Sequence, residues 1–582
     1  MYIGSCIDIN YVVPSAPMYI ESVPNRNSPP AILLRESRRD GKKTIKRTIA
    51  NLSSLPESAI EALGRVLRGE KLVSIEEAFS IDRALQHGHV EAVLGTIRKL
   101  KLDSVISSRP CRELDLVLAM IVQRLLHPSS KMAMTRLWHA STLAEDLELG
   151  DADEEDLYDA LTWLVERQPR IEKKLARLHL PEGGSALYDI SSSYYEGKTS
   201  SLVKYGHSRD GKKGLPIVVY GVITNDKGCP VAIEVFAGNT SDSTTVSGQA
   251  DKLVERFGLG KVVMVGDRGT LTEPQIKMLK ARPEFGWISA LRSEAIRGLI
   301  EEKCLQPSLF DERNLAEISS VEYPGERLVA CYNPLLADKR KQTRQELLAA
   351  TEEALQKLTA EVARRKTKRF TDAEIGVKVG KVLGRYKMAK HIAYNIKDGR
   401  FEWSRNEKTI AIEEQLDGIY VIRTSEKDLS PADIVRAYKS LTQVEEAFLG
   451  MKGINISVRP IRHRTDEHIR AHIFLCMLTY YVEYHMRKAL APLLFDDEEL
   501  DQNKRTRDAV LPAQPSESAK RKKGTKLAAD GLAVHSFDTL LANLATKTRN
   551  TCRLKASSNK EPFILYPTPT PLQKKALDLL GL

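Results

Sequence analysis

Apolar residues recur at helical spacing through "ELDLVLAMIVQRLL" and "DLYDALTWLVERQPRIEKKLARL", which predicts a helical region over residues 56–182. Before it, two β-like runs in "AILLRESRRDGKKTIKRTIA" flank Asp40-Gly41, a dipeptide suited to the positive φ of a tight hairpin. Near residue 185 the pattern changes. "GSALYDISSSYY" and "LPIVVYGVITNDKGCPVAIEVFAGN" predict three consecutive strands, the last two joined at Asn225-Asp226-Lys227-Gly228. A helix over 243–257, a short buried strand in "KVVMVGD", a helix over 273–281 and a strand in "GWISALR" follow, giving the order βββ-α-β-α-β.

That order is the one of a ribonuclease-H-like fold, a mixed α/β sheet (βββαβαβ…α) completed by one more helix. Here the helix is delayed. Residues 295–428 read as an α/β-rich insertion domain, with a charged helix over 338–368 in which Leu348, Leu355 and Val362 repeat every seven residues beside Leu358, a coiled-coil-like stripe. Strands are expected in "KHIAYNI", "TIAIEEQ" and "DGIYVIRTS". The expected organisation is therefore a basic β-hairpin region (1–55), a helical N-terminal DNA-binding domain (56–182), two core parts (183–294 and 429–495) around the insertion, a flexible linker (496–526) rich in charge, Ser and Pro, and a C-terminal element (527–582) ending in a helix capped by Thr570.

Composition narrows the partners. The 582 residues carry a net charge of +11, so a polyanion is the natural partner, and nucleic acid fits better than a membrane. Residues 35–47 hold seven basic and two acidic side chains, which makes Arg38, Arg39, Lys42 and Lys43 candidate DNA contacts. The start, "MYIGSCIDIN", lacks the basic and apolar blocks of a secretory signal, and "HIFLCMLTYYVEY" is too short to span a bilayer; a soluble, cytoplasmic and nucleoid-associated protein is expected. The seven cysteines form no CxxC, and no GxxxxGK[ST] or strand-following GxGxxG occurs, so neither a thiolate zinc site nor a nucleotide cofactor is expected.

Three carboxylates stand where their elements should have none. Asp189 lies in the first strand, Asp267 ends "VVMVGD", and Glu445 and Glu446 compete in "AYKSLTQVEEAFLGMKG". An unpaired charge in a buried strand costs several kcal/mol. On a helical wheel, Leu441, Val444, Phe448 and Met451 form the apolar stripe; Glu445 lies about 90° from its centre and Glu446 about 170° away, so Glu445 is the one that reaches the sheet. Tyr438 and Lys452 lie two turns before and after Glu445 and would share its side of the helix. Carboxylates of this kind can hold two hard divalent ions about 4 Å apart for phosphodiester chemistry.

The segments "YDISSSYYEG", "GHSRDGKKGLPIVVYGVITNDKGCPVAIEVFAGNTSDSTTV", "VMVGDRG" and "YKSLTQVEEAFLGMKGINISVRPIRHRTDEHIRAHIFLCML" together resemble the bacterial insertion-sequence transposases of the DDE type, in the group with a Tyr/Arg/Glu/Lys signature. The likeness covers roughly residues 185–485. The signature falls on Tyr438, Leu441, Glu445 and Lys452, so Leu replaces its Arg; Arg436 or Lys439 could supply that phosphate contact. The resemblance implies catalytic, metal-binding Asp189, Asp267 and Glu445, two Mg²⁺ ions with Mn²⁺ as a substitute, DNA contacts from Tyr438 and Lys452, and cut-and-paste joining of element ends to target DNA by a homodimer. A catalytically inactive, transposase-derived DNA-binding protein is the alternative, and a structure-selective nuclease on the same fold would lack strand transfer. Trp403 is a weak candidate for holding a flipped base, a structural role being the expectation. Lys439, Arg459, Arg462, Arg464 and Arg470 are further candidate phosphate contacts, and His463, His468 and His472 read as helix and DNA-backbone residues rather than metal ligands, because Ile469 stands where a metalloprotease helix needs Glu.

Overall fold

The computed structural model describes residues 18–26, 28–70, 79–197, 199–212, 214–365, 369–555 and 561–582. The opening segment weighed above as a signal lies outside them. The chain divides into two units, Met1–Ala84 with Arg549–Tyr566, and Leu85–Thr548 with Pro567–Leu582.

In the first unit, alternating side chains build the antiparallel strands β1 (Met18–Val23), β2 (Ala31–Asp40) and β3 (Lys43–Asn51). Asp40 pairs with Lys43, so the turn is Gly41-Lys42, and Gly41 takes φ +59°, which glycine adopts without strain. The helix Glu57–Leu67 packs beside β1. The helical reading of 56–182 is then interrupted by β4 (Phe79–Gln86), which joins a second sheet with the strands Thr548–Leu554 and Phe563–Leu565. "FSIDRALQ" gives no cue to this. Its strand state comes from a partner more than 450 residues away.

In the second unit, β5 (Ser185–Tyr194), β6 (Ile217–Asn225), β7 (Pro230–Phe236), β8 (Val262–Val265) and β9 (Phe285–Ala290) form where the apolar runs predict strands. They stand in the order β7-β6-β5-β8-β9, antiparallel among the first three and parallel through β5, β8 and β9. The β6–β7 turn closes with Gly228 at φ +82°. The helix Asp466–Leu490 is buried along most of its length, packing on β7 and on the helices Arg112–Leu126 and Glu154–His179, so the N-terminal helices and the sheet share one core.

The inserted region divides differently from its sequence reading. β10 (Leu315–Ile318), β11 (Arg327–Tyr332) and β14 (Ile419–Thr424) continue the same sheet, β14 pairing antiparallel with β9, and make it eight-stranded. Their pairing covers what would otherwise be an open edge at β9. The excursion proper carries the helices Pro334–Arg364 and Asp372–Tyr386 and the hairpin of β12 (Ile392–Lys397) and β13 (Arg400–Arg405). Its heptad stripe is consumed inside the chain: Leu348, Leu355 and Leu358 are buried with Ile375, Val379, Leu383 and Phe401. "TIAIEEQ" is helical over Glu407–Glu414, not a strand, because Asn406 caps it by accepting from the Thr409 N–H at 3.3 Å.

The segment 496–526 is no loose tether. It holds the helices Leu500–Thr506 and Glu517–Thr525, buries Val510, and anchors Lys522, whose Nζ donates to the Ala491 and Asp496 carbonyls at 2.8 and 2.6 Å. Polar composition mimics a linker when the polar groups are satisfied by neighbouring backbone. The final helix Pro571–Leu580 has the expected Thr570 cap, as a capping box with Gln573.

Candidate active site

Parallel pairing of Leu187 with Val265 sets the level of the two strands. Two residues further on, Asp189 in β5 and Asp267 just past β8 reach the same height on neighbouring strands, which are about 4.8 Å apart in any sheet. Asp267 also holds its own turn: Oδ1 accepts from the Gly269 N–H at 3.0 Å and the Thr270 N–H at 2.7 Å. One oxygen thus caps the backbone, and the other has no hydrogen-bond partner within the turn.

The third acid comes from a helix packed on β5. Val444, Ala447, Phe448 and Met451 are buried along the helix Thr442–Lys452, so the wheel places its apolar stripe correctly. The helix does not run back to Tyr438. It breaks at Ser440-Leu441, where Gln443 and Val444 bond to carbonyls three residues back, and Tyr438 belongs to the preceding helix Pro431–Lys439. Tyr438 nonetheless lies within the electrostatic reach of Asp267, Asp189 and Glu445. Glu445 and Glu446 are both exposed, but only Glu445 acts on Asp189.

Charge at this place is undercompensated. Burial pushes the Asp189 carboxyl up to about 7; repulsion from Asp267 and Glu445 adds to the rise, and the Ile190 N–H and Arg209 oppose it. Burial likewise raises the Tyr438 phenol to about 12, so it stays neutral and a hydrogen-bond donor. All three acids offer hard oxygen ligands, and Asp189 lacks a paired cation. That donor set fits a divalent metal ion.

The family model for the transposase DDE domain matches residues 196–482, and that for the N-terminal domain of the IS1634 family of transposases matches residues 20–78. The chain belongs to the insertion-sequence DDE transposases. Members of this family generally use divalent metal ions, and they act on DNA. Asp267, Tyr438, Glu445 and Lys452 lie inside the DDE match, while Asp189 stands seven residues before its start. No curated protein matches the chain. Among solved structures it is similar to the cryo-EM piggyBac transposase synaptic complex with hairpin DNA, at 10% identity and a TM-score of 0.33, over 76% of this chain and 88% of that one.

Within this transposase, several basic residues expected on DNA are engaged by the protein itself. Lys452 Nζ donates to Ser191 Oγ at 2.7 Å and Asp210 Oδ1 at 2.9 Å. Arg459 binds the same Asp210, whose other oxygen accepts from the Tyr194 N–H at 3.0 Å. Lys439 donates to the Val510 carbonyl at 2.7 Å, and Arg436 pairs with Asp433 and donates to the Arg507 carbonyl at 3.0 Å. Arg462 pairs with Glu196 at 2.9 Å on the surface, and Arg470 donates to the Val235 carbonyl at 2.7 Å. Arg38, Arg39, Lys42 and Lys43 are exposed at the tip of the β2–β3 hairpin.

Asp210 and Arg209 were not singled out from the sequence. "SRDG" reads as an ordinary polar turn, yet it lies against β5: Arg209 pairs with Asp242 and its N–H donates to Ser192 Oγ at 3.0 Å. A second missed feature is a groove of about 760 Å³ that begins at Arg268, next to Asp267, and is lined by Arg297, Lys339 and Arg340. Basic residues at the N-terminal end of the helix Pro334–Arg364 carried the only available cue.

Of the histidines of "RHRTDEHIRAHIF", His472 is buried with its Nε2 3.1 Å from the Val458 carbonyl, and His468 stacks on Tyr158. Trp403 is half-buried against the core of the inserted excursion, as a structural aromatic should be. Among the described residues, the metal-ligating atoms that lie within 4.8 Å of one another as a set belong to His179, Cys229 and His485, not to the three acids. No helix among the described residues is long and apolar enough to cross a membrane.

Proposed function

We propose that the chain cleaves phosphodiester bonds at the ends of its element and joins the freed 3′-hydroxyls to target DNA, on a ribonuclease-H-like core with Asp189, Asp267 and Glu445 as the catalytic acids. The observation that carries this is the β5–β8 register, which sets Asp189 and Asp267 at one level with the Glu445 helix packed on β5. Two Mg²⁺ ions held by these acids would supply the activation of the attacking hydroxyl and the stabilisation of the leaving oxygen.

The protein's own groups do the rest. Asp267 keeps one oxygen fixed by two backbone N–H groups, which orients the carboxylate without neutralising it. Asp189 must give up its proton to take a cation, so cation binding weakens as the pH falls below about 7. The Tyr438 phenol, kept neutral, donates to a phosphate oxygen beside the acids. Lys452, tied to Asp210, fixes the end of the Glu445 helix against β5 as a positioning residue. The exposed hairpin cations and the groove from Arg268 to Arg340 hold flanking phosphates, and a homodimer pairs the two ends.

The test is a labelled duplex of the element end with a target plasmid, in Mg²⁺, in Mn²⁺ and in EDTA, for the wild type and Glu445→Gln. Metal-dependent nicking and a joined product are expected from the wild type alone. Tight end binding with no cleavage by the wild type would instead identify a DNA-binding remnant; nicking without joined product would identify a nuclease.

A further inference from the structure

A second uncompensated site lies away from the acids, between the N-terminal helices and the loop that follows the Glu445 helix. Its centre is Lys131, only 4% exposed, whose Nζ has no hydrogen-bond partner among the described residues. Arg124 stands beside it. Its Nη1 donates to the Ile456 carbonyl at 2.8 Å, but its Nε donates to nothing. Ser129 Oγ and His463 Nδ1 are also buried without partners. These four side chains line a cavity of about 290 Å³, with Tyr158 and Arg459 also in its wall, and none of the residues lining it is acidic.

A buried ammonium next to a guanidinium, with no acidic group in the cavity wall, is costly, and an anion from outside the chain would offset that cost. The ammonium itself registers the deficit: burial, then repulsion from Arg124, lower Lys131 to about 7. The unmatched atoms include an ammonium, a guanidinium N–H and a hydroxyl, donors that suit a tetrahedral oxyanion. We propose that this cavity is a phosphate pocket that receives one backbone phosphate of the bound DNA. Arg459 ties the pocket to the acids, since it also binds Asp210, the carboxylate that takes Lys452. A phosphate seated there is registered against the Glu445 helix through one shared carboxylate. This assignment rests on the DNA-transposase reading.

The experiment scans the element-end duplex with single uncharged methylphosphonate linkages and measures binding by the full-length wild type and Lys131→Met. The wild type is expected to lose about tenfold in affinity at one position, while Lys131→Met binds the unmodified duplex about tenfold more weakly, is indifferent to that position, and has a salt slope smaller by about one. Without DNA, Lys131→Met is expected to melt at a higher temperature, because a buried unmatched charge has gone. Ser129→Asp, which puts a carboxylate into the pocket, is expected to lose the same position and serves if Lys131→Met does not fold. A scan in which Lys131→Met responds at every position as the wild type does overturns the pocket and leaves the transposase reading standing. If the wild type binds no duplex at all, both fall; a rise in melting temperature in inorganic phosphate, absent in Lys131→Met, then assigns the cavity to free phosphate.

Discussion

Asp189 and Lys131 are opposite charges in the same predicament. Burial moves each to about 7, the carboxyl upward and the ammonium downward, and among the described residues no ion pair holds either. Asp210, 1% exposed at its side chain, is a contrast: Lys452 and Arg459 both bind it. Glu172, fully buried, has Lys252 at 3.4 Å and Arg256 at 3.5 Å. The buried charges that hold elements together are matched, and the two unmatched ones lie at the proposed metal site and in the proposed phosphate pocket.

The comparison breaks first at the acids. Asp189→Asn, Asp267→Asn and Glu445→Gln should each lower strand cleavage by about a thousandfold or more with end binding retained, measured by nicking of a labelled duplex. Retained cleavage in any of them would remove that acid from the site.

The matched acid should behave in the other way. Asp210→Asn is expected to cost roughly 3 kcal/mol of stability, because it strands Lys452 and Arg459 inside the protein, and denaturant melting reads the loss. Replacing the unmatched Asp189 by Asn should stabilise the metal-free protein, by on the order of 2 kcal/mol at pH 8.

The pH dependences of the unmatched pair have opposite signs. Folded Asp189 holds a proton that the unfolded chain has lost between about pH 4 and 7, so its contribution to stability falls as the pH rises through that window. Folded Lys131 lacks a proton that the unfolded chain holds between about pH 7 and 10.5, so its contribution rises with pH there. Melting curves of wild type against Asp189→Asn and Lys131→Met should show these two slopes disappear separately, and divalent cation should flatten only the first. The smallest effect is expected from Glu446→Gln, with cleavage within about threefold of wild type; a loss as large as that of Glu445→Gln would exchange their roles.

Much of the central sheet was legible because its strands carry long apolar runs with local turn chemistry. Asn225 to Gly228 closes β6 onto β7 as its residues demand, and the stripe from Val444 to Met451 is buried as the helical wheel draws it. Short or polar elements were not legible in the same way. "NLAEIS" and "RLVACY" became β10 and β11 by pairing, β11 on β14 and β10 on β11, and "TIAIEEQ" alternates like a strand yet follows its Asn406 cap into a helix. The partners of the cations were the least legible: Lys439, Lys452 and Arg459 each meet an oxygen from a distant segment.

The sequence by itself determined the order of the core strands, the family likeness of the chain and the basic hairpin tip, since these depend on local periodicity and on residue types within a few positions. Only the tertiary structure decided which charges are spent and which are left over. Asp210 lies 242 residues before Lys452 and 249 before Arg459, and Lys131 meets Arg124 and His463 across separate elements. Electrostatic compensation is a property of distance and burial, and neither exists along an unfolded chain.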